Sequence, residues 1–307
     1  MLLAKELEQL TRRSAAKIGA GLAELLRDAH SSAEGLAERI WGNDFDKRVA
    51  WMRQRYSAPE GDPFGLDLDH ATRALKFCAL LHRHYFRTEV RGTLAMPQGR
   101  VLLVANHSGQ IPTDAAIIVA ACFLDVTPPR MVRTMVDKWT QTLPFVATLF
   151  PRVGQVVGVP ENGRRLLRMG EAILAFPEGI RGISKPFSQR YQLEPFGRGF
   201  IRLAMETETP VVPVALVGAE EQYVSFGHLD RVARALGIPV FPLLPQVLLP
   251  GGQFPLPTKY RLHFGAPLEF AGNPDDDDLV EQRVGQVRTR IQSMLDEGLR
   301  QRRGLFF

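Results

Sequence analysis

The sequence predicts an α/β protein with a mixed, largely parallel central sheet flanked by helices and a helical N-terminal appendage. Three observations lead there. From about Phe86 onward, short apolar runs of strand length alternate with helical patterns. Two of these runs, residues 101–105 and 172–176, open directly into polar, glycine-containing loops, as strands do at the ligand-binding edge of an open α/β sheet. Upstream of residue 86, apolar residues instead recur at three- and four-residue steps. The expected division is a helical region over 1–85 and an α/β domain over 86–307.

Residues 3–28 read as an amphipathic helix, with Leu3, Leu7, Leu10, Ser14, Ile18, Leu22 and Leu25 along one stripe and Lys5, Arg12, Arg13 and Lys17 mostly beside it. Two readings stand for this helix: it packs on protein, or its basic flank meets anionic headgroups at a membrane surface. Helical stretches are expected at 33–55 and 69–87, separated by the turn-rich run from Ser57 to Pro63. Strands are expected at 86–91, 101–105, 155–159, 172–176, 211–217 and 260–264, with helices at 114–124, 162–169 and 199–208. Residues 236–250 are apolar but carry Pro239, Pro242, Pro245 and Pro250, which forbid a helix or a central strand and predict an irregular apolar wall. The acidic run from Asp275 to Asp278 suits the positive end of a terminal helix that continues to about Arg302.

Composition narrows the classes of function. The chain has 307 residues, 45% of them hydrophobic, enough to bury a large core. A net charge of +5 and a pI near 9.4 favour acidic surfaces or phosphorylated ligands. The basic residues are dispersed and form no nucleic-acid motif, so no nucleic-acid partner is expected. Cys78 and Cys122 lie inside helical patterns, which argues against a disulfide framework and for a reducing cytoplasm. Neither a Gly-x-Gly-x-x-Gly fingerprint, a phosphate-binding Gly-rich loop nor a zinc-like His and Cys spacing is present, so no cofactor or metal is expected. No run reaches the roughly 20 apolar residues that cross a bilayer, and residues 1–10 lack the apolar core of a secretory signal. The expected location is the cytoplasm, peripherally on the cytoplasmic face of the membrane.

Chemistry is concentrated in two blocks. In the first, Asn106-His107-Ser108-Gly109-Gln110-Ile111-Pro112-Thr113-Asp114, an imidazole at a strand end is paired with a carboxylate at a helix start, an arrangement that suits a general base held by an acid. The second, Phe176-Pro177-Glu178-Gly179-Ile180-Arg181-Gly182, follows another strand. Two strand-to-loop blocks of this kind suggest one shared active site. Ser108 raises a serine hydrolase as a rival, but it adjoins His107 in sequence and no Gly-x-Ser-x-Gly elbow occurs elsewhere.

Together these blocks resemble the glycerolipid acyltransferase family, which includes the 1-acylglycerol-3-phosphate and lysophospholipid acyltransferases, over roughly residues 90–269. His107 and Asp114 match the family's first motif, with six residues between them in place of the usual four, as in the branch with a longer His-Ser-Gly-x-x-Pro-x-Asp form. Gly154 to Pro160 lies where the second motif belongs, with Pro160 in the place of its Arg and Arg164 or Arg165 one helical turn on. Phe176, Pro177, Glu178, Gly179 and Arg181 match the third motif, with Ile180 and Gly182 as departures, and residues 211–217 are similar to the fourth. The resemblance implies acyl transfer from a thioester, with acyl-CoA or acyl carrier protein as co-substrate, to the hydroxyl of a lysolipid or neutral glyceride drawn from a membrane surface. It implies catalysis by His107 assisted by Asp114, and substrate binding by Glu178, Gly179, Arg181, Arg164 and Lys138. The competing expectation is a non-catalytic lipid-binding or membrane-adaptor protein on the same fold. Oligomeric state is left open.

Overall fold

A computed structural model describes residues 35–306 except 58, 59, 109–112, 238, 239, 249, 251 and 253. The amphipathic pattern at 3–28 lies outside the described residues. The chain forms two compact units, Met1–Phe45 and Asp46–Phe307. In the first, residues 35–41 are helical and the rings of Trp41 and Phe45 lie 6.3 Å apart.

The second unit contains the sheet. Its strands are β1 (Glu89–Arg91), β2 (Val101–Ala105), β3 (Val132–Val136), β4 (Val156–Val157), β5 (Ala172–Ala175), β6 (Val211–Val217) and β7 (Arg261–Phe264), in the spatial order β1-β7-β6-β2-β5-β3-β4. All neighbours are parallel except β6 and β7. The helices are α1 (Phe45–Tyr56), α2 (Leu68–Leu80), α3 (Thr113–Leu124), α4 (Val146–Arg152), α5 (Pro160–Arg168), α6 (Ile180–Ser184), α7 (Gly199–Glu206), α8 (Asp230–Leu236) and α9 (Asp277–Gln301). Helices α1 and α2, which the sequence groups with the N-terminal region, fall mostly or wholly within this second unit. Arg48 of α1 donates to the carbonyls of Phe123 and Val126 at 3.0 and 2.8 Å, and His82 beyond α2 meets Asp125 at 2.9 Å.

The core has two layers, one on each face of the sheet. Alternate residues of β2 point to opposite sides. Val101, Leu103 and Ala105 pack with Ile117, Ile118 and Ala121 of α3. Leu102 and Val104 lie in the cluster that holds Leu166 of α5, Ile201 of α7 and Val284, Val287 and Ile291 of α9. Buried on both faces, β2 is uniformly apolar and parallel to both neighbours, as central strands of such sheets are.

Elsewhere the fold follows local chemistry. Asp276 caps α9 by accepting from Asp278 N and Leu279 N at 3.1 and 3.0 Å, so part of the acidic run closes a helix start. Pro160 is the first residue of α5, where its missing N–H costs nothing. Residues 226–229 and 241–243 exchange backbone hydrogen bonds of 2.8–3.1 Å, and Pro245–Leu248 forms a short 3₁₀ turn, so the described residues from 240 to 248 are irregular, as the proline-rich composition predicts. Strand β3 has no counterpart in the sequence reading, because Arg133 interrupts its apolar pattern. That guanidinium is fully buried, and Asp62 engages it at 2.7 and 2.9 Å while the Gly154 carbonyl accepts at 3.1 Å. Among the described residues, no helix is long and apolar enough to cross a membrane.

Candidate active site

Because β2, β5 and β6 are adjacent and parallel, the loops that leave their carboxyl ends share one edge of the sheet. Residues distant in sequence meet there. Just past β2, the Asn106 carboxamide donates to the Leu216 carbonyl at 3.1 Å and accepts from Leu216 N at 2.8 Å, extending the contact between β2 and β6 by one residue beyond the strand. This fixes the chain at the point where His107 begins.

His107 Nδ1 lies 2.7 Å from Asp114 Oδ2, which also accepts from Ser108 N at 2.9 Å. Asp114 is fully buried at the start of α3, where the helix dipole favours its negative charge. That start is itself anchored, since Thr113 and Tyr260 hydroxyls both donate to Gln222 Oε1 at 2.8 Å. The imidazole stacks on Phe176, centroids 4.2 Å apart and planes 22° from parallel, and its side chain keeps 17% exposure. With Nδ1–H given to the carboxylate, Nε2 is the ring atom able to take a proton.

The second block arrives from β5. Glu178 is a buried acceptor whose Oε1 takes the His107 backbone N–H at 2.8 Å, while Oε2 takes Glu194 N at 2.9 Å and faces Lys185 Nζ at 3.3 Å. Gly179 precedes α6 with φ +58° and ψ −145°, a conformation open essentially to glycine alone. Gly182 is small for a different reason: a Cβ there would lie 2.8 Å from His107 Cβ and 2.9 Å from Glu178 Cβ. The glycine that departs from the third motif is therefore the residue that lets α6 close against the histidine.

A family model described as Acyltransferase matches residues 87–217, the segment that contains both blocks. An uncharacterized protein of Mycobacterium leprae is 34% identical over 318 residues, spanning 96% of this chain and 86% of that protein. The chain belongs to the acyltransferase family. Its fold is that of a solved acyltransferase structure, the 1-acyl-sn-glycerophosphate (LPA) acyltransferase PlsC from Thermotoga maritima, with a TM-score of 0.51 at 18% identity over 91% of this chain and 97% of that one. A human relative, the DGAT1/2-independent enzyme synthesizing storage lipids, is 24% identical over 210 residues, 68% of this chain and 61% of that protein.

The remaining residues expected to bind substrate in this acyltransferase are placed unequally. Arg181 sits on α6 beside the site, exposed, with one guanidinium N–H donated to the Pro195 carbonyl at 2.8 Å. Lys138 is exposed just beyond β3, at the same sheet edge. Arg164 is not gathered into the His107 cluster: its fork grips Glu206 of α7 at 2.5 and 3.2 Å, with Glu161 at 3.4 Å. A guanidinium so engaged would have to give up a bidentate pair to take a phosphate, so it is a poor substitute for the Arg that Pro160 replaces.

Sequence reasoning overlooked the polar support beneath the histidine. Lys185, Tyr191, Glu220 and Glu221 lie outside all four of the matched motifs. Tyr191 N donates to Glu220 Oε2 at 2.8 Å and its hydroxyl to Glu221 Oε2 at 2.7 Å, while Arg302 closes on both Glu221 oxygens at 2.6 and 2.7 Å. Burial pushes the Glu220 carboxyl up to about 7. A signal was available: two adjacent carboxylates directly after a fully buried strand need buried partners.

Proposed function

We propose that this protein transfers a fatty acyl group from an acyl thioester, acyl-CoA or acyl carrier protein, to the hydroxyl of a lysophospholipid or related glycerolipid. The observation that carries the reading is the 2.7 Å contact between His107 and Asp114 at the carboxyl edge of the sheet in a chain of the acyltransferase family. The acceptor oxygen attacks the thioester carbonyl carbon as its proton passes to His107 Nε2. Asp114 holds the tautomer and stabilises the imidazolium, as the acid of a catalytic triad does. Collapse of the tetrahedral adduct breaks the carbon–sulfur bond, and the imidazolium returns the proton to the departing thiolate. Written this way, the reaction balances without a further cofactor. Arg181, Lys138 and the loop at Glu178 and Gly179 are the residues proposed to hold substrate.

The occupied fork of Arg164, together with Pro160 in place of a basic residue, favours a neutral glyceride over a phosphorylated acceptor. The human relative, named for storage-lipid synthesis, supports the same choice.

The test incubates the purified protein with radiolabelled acyl-CoA and a panel of acceptors that includes lysophosphatidate, other lysophospholipids, monoacylglycerol and diacylglycerol. One acylated product that disappears in His107→Ala is expected. Release of free fatty acid without an acceptor would identify a hydrolase instead. Lipid binding with no product under any condition would leave a non-catalytic lipid adaptor.

A further inference from the structure

We infer that Lys185 is a positioning residue of the reaction proposed above: its buried ammonium holds Glu178 and Glu220 together and so fixes the backbone from which His107 projects. The inference rests on that proposed reaction for its kinetic readout, and on the geometry for the rest.

Lys185 follows the five-residue helix α6, and its side chain turns inward, 3% exposed, to place Nζ within 3.3 Å of Glu178 Oε2, 3.3 Å of Glu220 Oε1 and 3.0 Å of the Gln192 carbonyl. An ammonium has three donors, and three acceptors surround it. The two carboxylates it joins leave different strands. Glu178 follows β5 and Glu220 follows β6, on either side of β2, which delivers His107. The ammonium therefore ties the two loops that flank the histidine. Glu178 passes that constraint on through the 2.8 Å bond from the His107 N–H to its Oε1.

Charge explains why a lysine is needed at this position. Two buried carboxylates face one cation, and Glu220 is already pushed up to about 7 by burial. Other charges face the cluster from behind. Glu221 is neutralised by Arg302 and by Arg190 at 3.8 Å, Tyr191 lies between Glu220 and Glu221, and Asp114 sits beyond the imidazole. Without the ammonium, Glu178 and Glu220 are left as two buried carboxylates that repel each other with no cation between them, and the Glu178 grip on the Glu194 and His107 peptides loosens. Without the charge of Glu220, Lys185 serves Glu178 alone and the reverse follows. Glu220 lies just past the segment that the family model matches, whereas Glu178 and Lys185 lie within it.

The test measures kcat and KM against pH for wild type, K185M, K185R and E220Q, with melting temperatures to confirm folding. K185M should lower kcat at pH 7 by about tenfold or more with acceptor KM within about threefold, and its acidic limb should move up by about one pH unit. E220Q should move that limb down. K185R, which keeps the charge, should regain most of the rate. A folded K185M with wild-type rate and profile overturns the inference. So does a loss that K185R does not relieve, or limbs that move in the same direction in K185M and E220Q. Should wild type acylate no acceptor, the proposed reaction fails separately. The low-field proton of the His107 to Asp114 hydrogen bond, assigned by its loss in H107A, then reports the same two opposite pH shifts or their absence.

Discussion

His107 combines a fixed ring, a fixed tautomer and a fixed backbone, each set by a different neighbour. Asp114 sets the tautomer, Phe176 the plane and Glu178 the main chain. His107→Ala is expected to lower turnover by roughly 10² to 10⁴-fold with the fold intact, because it removes a base without opening the core. Asp114→Asn should be severely impaired as well; steady-state kinetics with circular dichroism check both. Gly182→Ala probes the same ring sterically, since the new methyl falls 2.8 Å from His107 Cβ and must push the imidazole off its stack. Its kcat should fall by roughly tenfold or more, the scale of a slight misplacement of a catalytic group, and a wild-type rate would refute that packing argument. Arg181→Ala should raise acceptor KM for a phosphorylated acceptor and leave KM unaltered for a neutral glyceride.

At the scale of elements, the least expected feature is the buried charge on β3. Arg133 is compensated mainly by Asp62, a residue of the turn before α2, so one ion pair ties that turn to the sheet. Asp62→Ala is expected to destabilise the fold by about 3 kcal/mol or more in urea unfolding, because an uncompensated charge stays buried. Adding Arg133→Met should recover part of that loss. Glu220 gives a pH signature of its own. Its folded pKa lies above the usual carboxylate value, so the folded state binds the extra proton between the two values and stability falls as pH rises toward and through about 7. Thermal melts should show this slope flattened in Glu220→Gln over that window. The strand that sequence reading missed and the carboxylate pair it overlooked have the same origin: each is a polar residue whose partner lies elsewhere in the chain.

At the scale of the whole molecule, several of the exposed apolar side chains among the described residues lie in the segment that leaves β6 at the site's edge, with Phe226, Leu248 and Phe254 68%, 86% and 70% exposed. Peripheral association with a membrane that supplies the acceptor is therefore proposed, with residues 1–28 and their basic flank as the expected anchor. Flotation on anionic vesicles should be weakened by salt and by starting the chain at Ser31. Equal flotation of the shortened chain, abolished by Phe226→Asp with Phe254→Asp, would assign anchoring to the 226–256 segment. Failure of the full chain to float would indicate that the amphipathic helix packs on protein.

Strands β2 and β6, helices α3 and α9 and the pairing of His107 with Asp114 were legible in the sequence, because each depends on local pattern: apolar runs, period and short-range spacing. The interior position of β3, the inclusion of α1 and α2 in the larger unit, the separate engagement of Arg164 and the ammonium beneath the histidine were decided by tertiary structure. Lys185 and Arg133 find Glu220 and Asp62 35 and 71 residues away, and in one sequence such distances leave no period to read.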